Sequence, residues 1–287
     1  MQKMNTDFKM KIVSLIAALS ITLPAYANTI SKFPDSSHIP NKPTWEAGAF
    51  LAAFNAPLYP AAAENQGKIL PVPFLIYRGE RLRVGEGGVI KAMAVDQPRF
   101  KIDLSLGAAF NANSDDAKVR KGMPDLDFIF EVGPEVSVML SNTKTSETWL
   151  NLQFRQVFSS DFSSIDDRGY IFQPEITYQV NGFFSENDSF KLTFSPLFAT
   201  NKMQQYFYQV EPKFSTSERP EYHATGGYLG SEIALVNRFQ VRNDISIFVS
   251  TKLGFYKGAS NVDSPLFKKE LNYSLGIGLK WTLYQSN

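Results

Sequence analysis

The chain has no cysteine among its 287 residues. That excludes a disulfide scaffold, a thiolate zinc site, a cysteine nucleophile and a lipid-modified N-terminal cysteine. Its only histidines, His38 and His223, are too few for a multi-histidine metal centre. Charge of one sign is also lacking: 29 Lys and Arg stand against 28 Asp and Glu. A nucleic-acid partner, which needs a basic surface, is therefore not expected. No apolar run reaches the roughly 20 residues of a membrane-spanning helix, and no Walker, Rossmann or zinc motif is present. The sequence predicts no cofactor and no metal.

What is present begins with an export signal. Lys3, Lys9 and Lys11 precede the apolar stretch Ile12–Leu23, then Pro24 and Ala25-Tyr26-Ala27. A basic start, a short apolar segment and a small-x-small end predict a secretory signal peptide over 1–27, cut between Ala27 and Asn28. There is no twin-arginine pair, so general secretion is the expected route. Residues 28–43 are polar, carry Pro34, Pro40 and Pro43, and read as a linker containing a solvated His38.

From residue 44 the dominant periodicity is two. Leu271, Tyr273, Leu275, Ile277, Leu279, Trp281 and Leu283 share one face of an extended strand. Asn272, Ser274, Gly276, Gly278, Lys280 and Thr282 share the other. Similar runs occupy 100–110, 128–140, 150–155, 170–180, 190–198 and 245–255. Weaker ones are expected at Thr44–Phe54, Lys68–Arg83, Gly88–Ala94, Met203–Val210 and Tyr228–Arg242. These runs suit tilted strands crossing a bilayer, which need about 9–11 residues. Tyr273 and Trp281 fall where the two aromatic girdles of such a wall would lie. The expected fold is an all-β transmembrane antiparallel barrel of about 12 strands (10–12) over 44–287, of outer-membrane type. A soluble β-sandwich is the alternative. Pro71, Pro73, Pro134, Pro174 and Pro196 are expected at bulges or strand ends. Connections are expected at Asn111–Asp125, Ser141–Glu147, Ser159–Gly169, Asn181–Ser189, Glu211–Gly227 and Gly258–Glu270.

The polar faces carry Lys101, Asp103, Asp127, Glu131, Glu135, Arg155 and Glu175. Either they fill the interior with ion pairs, or Glu131, Glu135, Arg155 and Glu175 line a pore or ligand site. A lipid hydrolase would need a serine and a histidine, and only His223 is available. Asp115-Asp116 and Asp166-Asp167 read as solvated loop residues. No catalytic residue is assigned.

Several segments also resemble the MipA/OmpV family of outer-membrane proteins. They are Tyr59-Pro60 with Pro71-Val72-Pro73-Phe74-Leu75-Ile76-Tyr77-Arg78-Gly79, and Lys121-Gly122-Met123-Pro124-Asp125-Leu126 leading to Glu131-Val132-Gly133-Pro134. Further on come Tyr206-Phe207-Tyr208-Gln209-Val210, Arg219-Pro220-Glu221-Tyr222 and Gly226-Gly227-Tyr228, and lastly Asp263-Ser264-Pro265-Leu266. Two departures stand out: Ala61 replaces the glycine that usually follows Tyr-Pro, and Gln285-Ser286-Asn287 follow the closing aromatic Tyr284. The resemblance implies an outer-membrane barrel embedded in outer-membrane lipid. It also implies a non-enzymatic scaffold joining a lytic transglycosylase to a murein synthase. Solute passage and adhesion are alternatives within the family.

Overall fold

The computed structural model describes residues 43–286 apart from 79–81, 85–90 and 93–94. The expected signal peptide with its cleavage point, nearly all of the linker, and most of the expected strand Gly88–Ala94 lie outside the described residues.

The period-two runs become strands of one antiparallel sheet. Ten are long: β1 (Trp45–Pro57), β2 (Asn65–Arg78), β6 (Phe100–Ala109), β7 (Phe128–Asn142), β8 (Ser146–Ser160), β9 (Ile165–Asn181), β10 (Asp188–Ala199), β11 (Gly227–Arg242), β12 (Ile245–Phe255) and β13 (Leu271–Gln285). Three short strands, β3 (Leu82–Val84), β4 (Lys91–Ala92) and β5 (Val95–Gln97), lie between β2 and β6 in the chain. The sheet order is β4-β3-β2-β1-β13-β12-β11-β10-β9-β8-β7-β6-β5, so nearly every strand pairs with its neighbour in sequence. The first and last long strands also pair, from Glu46–Gln285 to Asn55–Leu275. The sheet curls back on itself. The Phe54 ring of β1 stacks on Phe110, just past β6, with centroids 5.5 Å apart, and Lys68 Nζ of β2 lies 3.4 Å from Asn111 Oδ1.

Side-chain direction identifies the solvent of each face. On β13, Leu271, Tyr273, Leu275, Ile277, Leu279, Trp281 and Leu283 are all exposed. Leu51, Ile69, Leu152, Phe154, Phe172, Ile176, Phe194 and Val249 continue this apolar belt. Glu131, Arg155, Gln173, Glu175, Lys191, Glu232 and Lys252 are buried on the opposite face. A soluble sandwich would do the reverse, with apolar residues between its layers. Apolar outside and polar inside is the arrangement of a barrel in lipid, where closure satisfies the backbone. Among the described residues no helix is long and apolar enough to cross a membrane.

Three details differ from the sequence reading. Met203–Val210 is not a strand: α1 spans Asn201–Tyr208. Met203 and Phe207, four apart, share its buried face, and the alternation of Tyr206 and Tyr208 imitated a strand. Asp166 and Asp167 lie in the first turn-proximal residues of β9, because the β8–β9 connection is only 161–164. The prolines of β2, β7 and β9 sit inside strands rather than at bulges or ends, whereas Pro196 of β10 stands, as expected, beside a bulge, where the β10–β11 register shifts between Leu197 and Phe198. Across Pro134 the β7–β8 ladder lapses and resumes unshifted, and it does the same across Pro174 and Pro196 in the β9–β10 ladder.

Candidate functional site

Two features could carry function: the inner face of the barrel and the cap over one end of it. On the inner face, strands β6 to β10 bring their polar side chains together. Arg155 Nε donates to Glu131 Oε2 at 2.7 Å, and its two terminal nitrogens reach Ser105, Gln153 and Gln173. Gln173 Nε2 passes the network on to Ser195 Oγ at 3.1 Å. Glu175 accepts from Asn151 at 3.1 Å and from Thr177 at 3.0 Å, and Glu135 accepts from Ser137 at 3.3 Å. Glu131, Glu135, Arg155 and Glu175 are thus placed on one inner wall, where charge-assisted bonds compensate their lost hydration. Elsewhere inside, Lys252 meets Glu232 at 2.9 Å, and Glu46 is held by Arg78 and Lys280, each at 2.6 Å. The inner face is not wholly polar. Phe50, Phe54, Phe74 and Phe248 form a buried cluster against β13, and a side chain at Gly278 would collide with Phe50.

The cap is built by the long connections, all of which leave the same end of the barrel. Leu58, Tyr59 and Ala62 come from the β1–β2 loop, and Ala112, Ala117 and Leu126 from the β6–β7 loop. Met203, Phe207 and Tyr208 of α1, Val210 and Ala224 from the segment after it, and Leu266 from the β12–β13 loop complete one buried cluster. Tyr59, Tyr208 and Leu266 are 0% exposed, as in the core of a soluble protein. Polar groups are satisfied across the loops. Tyr59 Oη donates to the Leu266 carbonyl at 2.7 Å, Tyr208 Oη to Pro60 O at 3.0 Å, and Ser264 Oγ to Tyr208 O at 2.8 Å.

The residues Tyr206, Tyr208, Arg219, Pro220, Tyr222, Gly226, Gly227, Asp263, Ser264 and Pro265 all lie in or around this cap. Arg219 donates to the carbonyls of Phe214, Val119 and Lys121. Tyr222 Oη is 3.3 Å from Asn261 Oδ1, which also accepts from the Thr225 N–H at 3.0 Å. Gly226 approaches Asn201 so closely that a Cβ would fall 2.8 Å from the Asn201 nitrogen. Asp263 and Pro220 are exposed. Burial lifts the phenols of the cap: Tyr206 is pushed up to about 12, and Tyr59, Tyr208 and Tyr256 are raised as well. Burial also lowers Arg120, which donates to Phe207 O and Pro124 O and lies over the Tyr59 ring.

The sequence reading named Tyr59 in a family motif but missed Arg120 and Asn261, whose burial depends on distant loops. Beside the cap lies an open cleft of about 610 Å³, lined by Asp125, Asp127, Arg168, Lys202, Tyr206 and Phe214 among others. Asp127, expected on a strand's polar face, sits in the loop just before β7. Burial, with Asp161, Asp166 and Asp125 nearby, raises its carboxyl against the opposing pull of Arg168. His223 is exposed and reaches Glu221 at 3.3 Å and Gln209 at 3.2 Å. Among the described residues no cluster of His, Asp and Glu is arranged to hold a metal ion.

The family model described as "MltA-interacting protein MipA" matches residues 49–283, which takes in most or all of every long strand and the whole cap. The chain belongs to the MipA family. No curated protein matches this MipA-family chain. Among solved structures it is similar to the NanC porin, at 9% identity and a TM-score of 0.40, covering 82% of this chain and 100% of that one. It is also similar to an outer-membrane channel from Pseudomonas putida F1, at 7% identity and a TM-score of 0.46, covering 88% and 99%. A bacterial polysaccharide outer-membrane secretin gives 8% identity and a TM-score of 0.43, covering 85% and 100%. The MipA-family chain is an outer-membrane barrel protein.

Proposed function

We propose that this MipA-family barrel is a non-enzymatic, non-conducting anchor in the outer membrane that holds murein-remodelling enzymes, a lytic transglycosylase and through it a murein synthase, at its periplasmic rim. The observation that carries the reading is the capped mouth. The cap buries Tyr59, Phe207, Tyr208 and Leu266 over one mouth, while the inner face carries the Arg155 network and the cluster of Phe50, Phe54, Phe74 and Phe248. A capped barrel suits anchorage better than solute flow. The family description supplies the kind of partner. The short turns at 143–145, 182–187 and 243–244 and both ends of the described chain share the uncapped rim. Short turns on the periplasmic side and long loops outside are the usual orientation, which directs the uncapped rim toward murein.

The test is an affinity pull-down of the tagged protein from detergent-solubilised envelope, paired with planar-bilayer recording of the pure protein. Recovery of a lytic transglycosylase with a silent bilayer is the expected result. Discrete conductance steps whose ion selectivity changes in Glu131→Gln or Arg155→Gln would make it a channel instead.

A further inference from the structure

The β9–β10 ladder is interrupted at the middle of the membrane wall. Its pairs run to Ile176–Phe194, lapse, and resume without a register shift at Phe172–Phe198. Pro174 therefore stands opposite Pro196. Proline has no N–H, so neither can donate to the other's carbonyl. The lapse covers four residue steps, about 13 Å along the strands at ~3.3 Å each. Pro174 lies midway between Tyr170 and Tyr178, exposed aromatics at the two edges of the apolar belt, so the lapse falls at mid-bilayer depth.

In hydrocarbon a missing backbone bond has to be replaced from within the protein. Here side chains tie the two strands together beside the lapse. On the inner face Gln173 donates to Ser195 Oγ at 3.1 Å, and its own carbonyl accepts from Arg155. On the outer face the Phe172 and Phe198 rings stack across the gap, with centroids 6.3 Å apart. Backbone ladders yield only when strands separate, whereas side-chain contacts exchange by rotamer changes on much shorter timescales. From lipid inward the lips run from apolar (Phe172, Ile176, Phe194, Phe198) to polar (Gln173, Glu175, Ser195). That is the polarity profile of a long-chain amphiphile with its polar end directed inward.

We propose that the seam between β9 and β10 is a lateral portal through which a long-chain amphiphile passes between the bilayer and the inner face of the barrel. With one mouth capped, the seam offers a route from the inner face to the membrane. The portal does not depend on the anchoring role.

The absence of native cysteine makes the test direct. Ser195→Cys places a single thiol on the inner face at the seam. Ser250→Cys places one on the inner face of β12, where the pairs to Val236 and Gly276 are unbroken. Both serines are comparably buried, at 3% and 7%. The refolded variants, checked by heat-shift on gels, are reconstituted in phosphatidylcholine vesicles and treated with a pyrene maleimide dissolved in the bilayer. The expected result is labelling of the Ser195→Cys thiol at least about tenfold faster than that of Ser250→Cys, slowed by added oleate. Adding Pro174→Val with Pro196→Val restores two donors and brings the rate down to that of Ser250→Cys. Pro196→Val alone gives an intermediate rate should the double change prevent refolding. Equal rates at the two thiols, no response to the valines, or equally fast labelling by a charged water-soluble maleimide would overturn the portal.

Discussion

Ala61 has a backbone φ of 62°, in the left-handed region, at the position where the family pattern has glycine. It is fully buried, and its carbonyl accepts from the Lys268 and Lys269 N–H groups at 2.9 and 3.0 Å, so the cap fixes this conformation. An L-residue there costs about 1–2 kcal/mol. Ala61→Gly is therefore expected to stabilise the cap by about 1 kcal/mol, offset in part by the greater freedom of glycine in the unfolded chain. Urea midpoints of the refolded protein read this change. At the Arg155–Glu131 pair the expected sign is opposite. Glu131→Gln leaves a buried guanidinium without its counter-charge, a loss of about 3–5 kcal/mol. The temperature at which the folded gel band converts to the unfolded one should fall accordingly. The sequence placed these charges on polar faces. It could not say that they would meet, because Glu131 and Arg155 are joined by the register of β7 and β8 and not by their spacing.

Among the elements, the long strands were legible because period two survives wherever a wall separates two solvents. α1 was not. At eight residues it is too short to display a helical period against the aromatic alternation of its sequence. What holds it is tertiary: Met203, Phe207 and Tyr208 are buried among four other segments. Phe207→Ala is expected to remove about 3–5 kcal/mol from the packing of the cap, while the strands keep their own ladders. Limited proteolysis should then cut within 209–226 while the barrel retains its heat-shift; loss of both would mean that cap and wall fold as one unit.

For the whole molecule, the cap behaves as a small soluble core set on a membrane barrel, and its phenols report its integrity. Tyr206 is raised to about 12 and Tyr59, Tyr208 and Tyr256 are raised too. A folded-state pKa above the unfolded value means that this contribution is complete below about pH 10 and is lost as pH climbs toward about 12. Tyrosinate absorbance should therefore rise together with loss of the cap in that window. Tyr206→Phe should remove one phenol from the transition without shifting the barrel's own unfolding. If the phenols ionise with the cap still protease-resistant, the cap is not packed as described.

By itself the sequence determined that the wall has one apolar and one polar face. Alternation at every second residue is a local property of an extended chain, so Leu271 to Leu283 announced an apolar face without any knowledge of neighbours. It also carried the family likeness, partly through loop motifs that turned out to sit in or beside the cap. Only the tertiary structure decided that those loops converge on one mouth and seal it, and that Pro174 lands opposite Pro196. Both depend on which distant segments become neighbours, and that is set by strand order and register, which no single stretch of sequence contains.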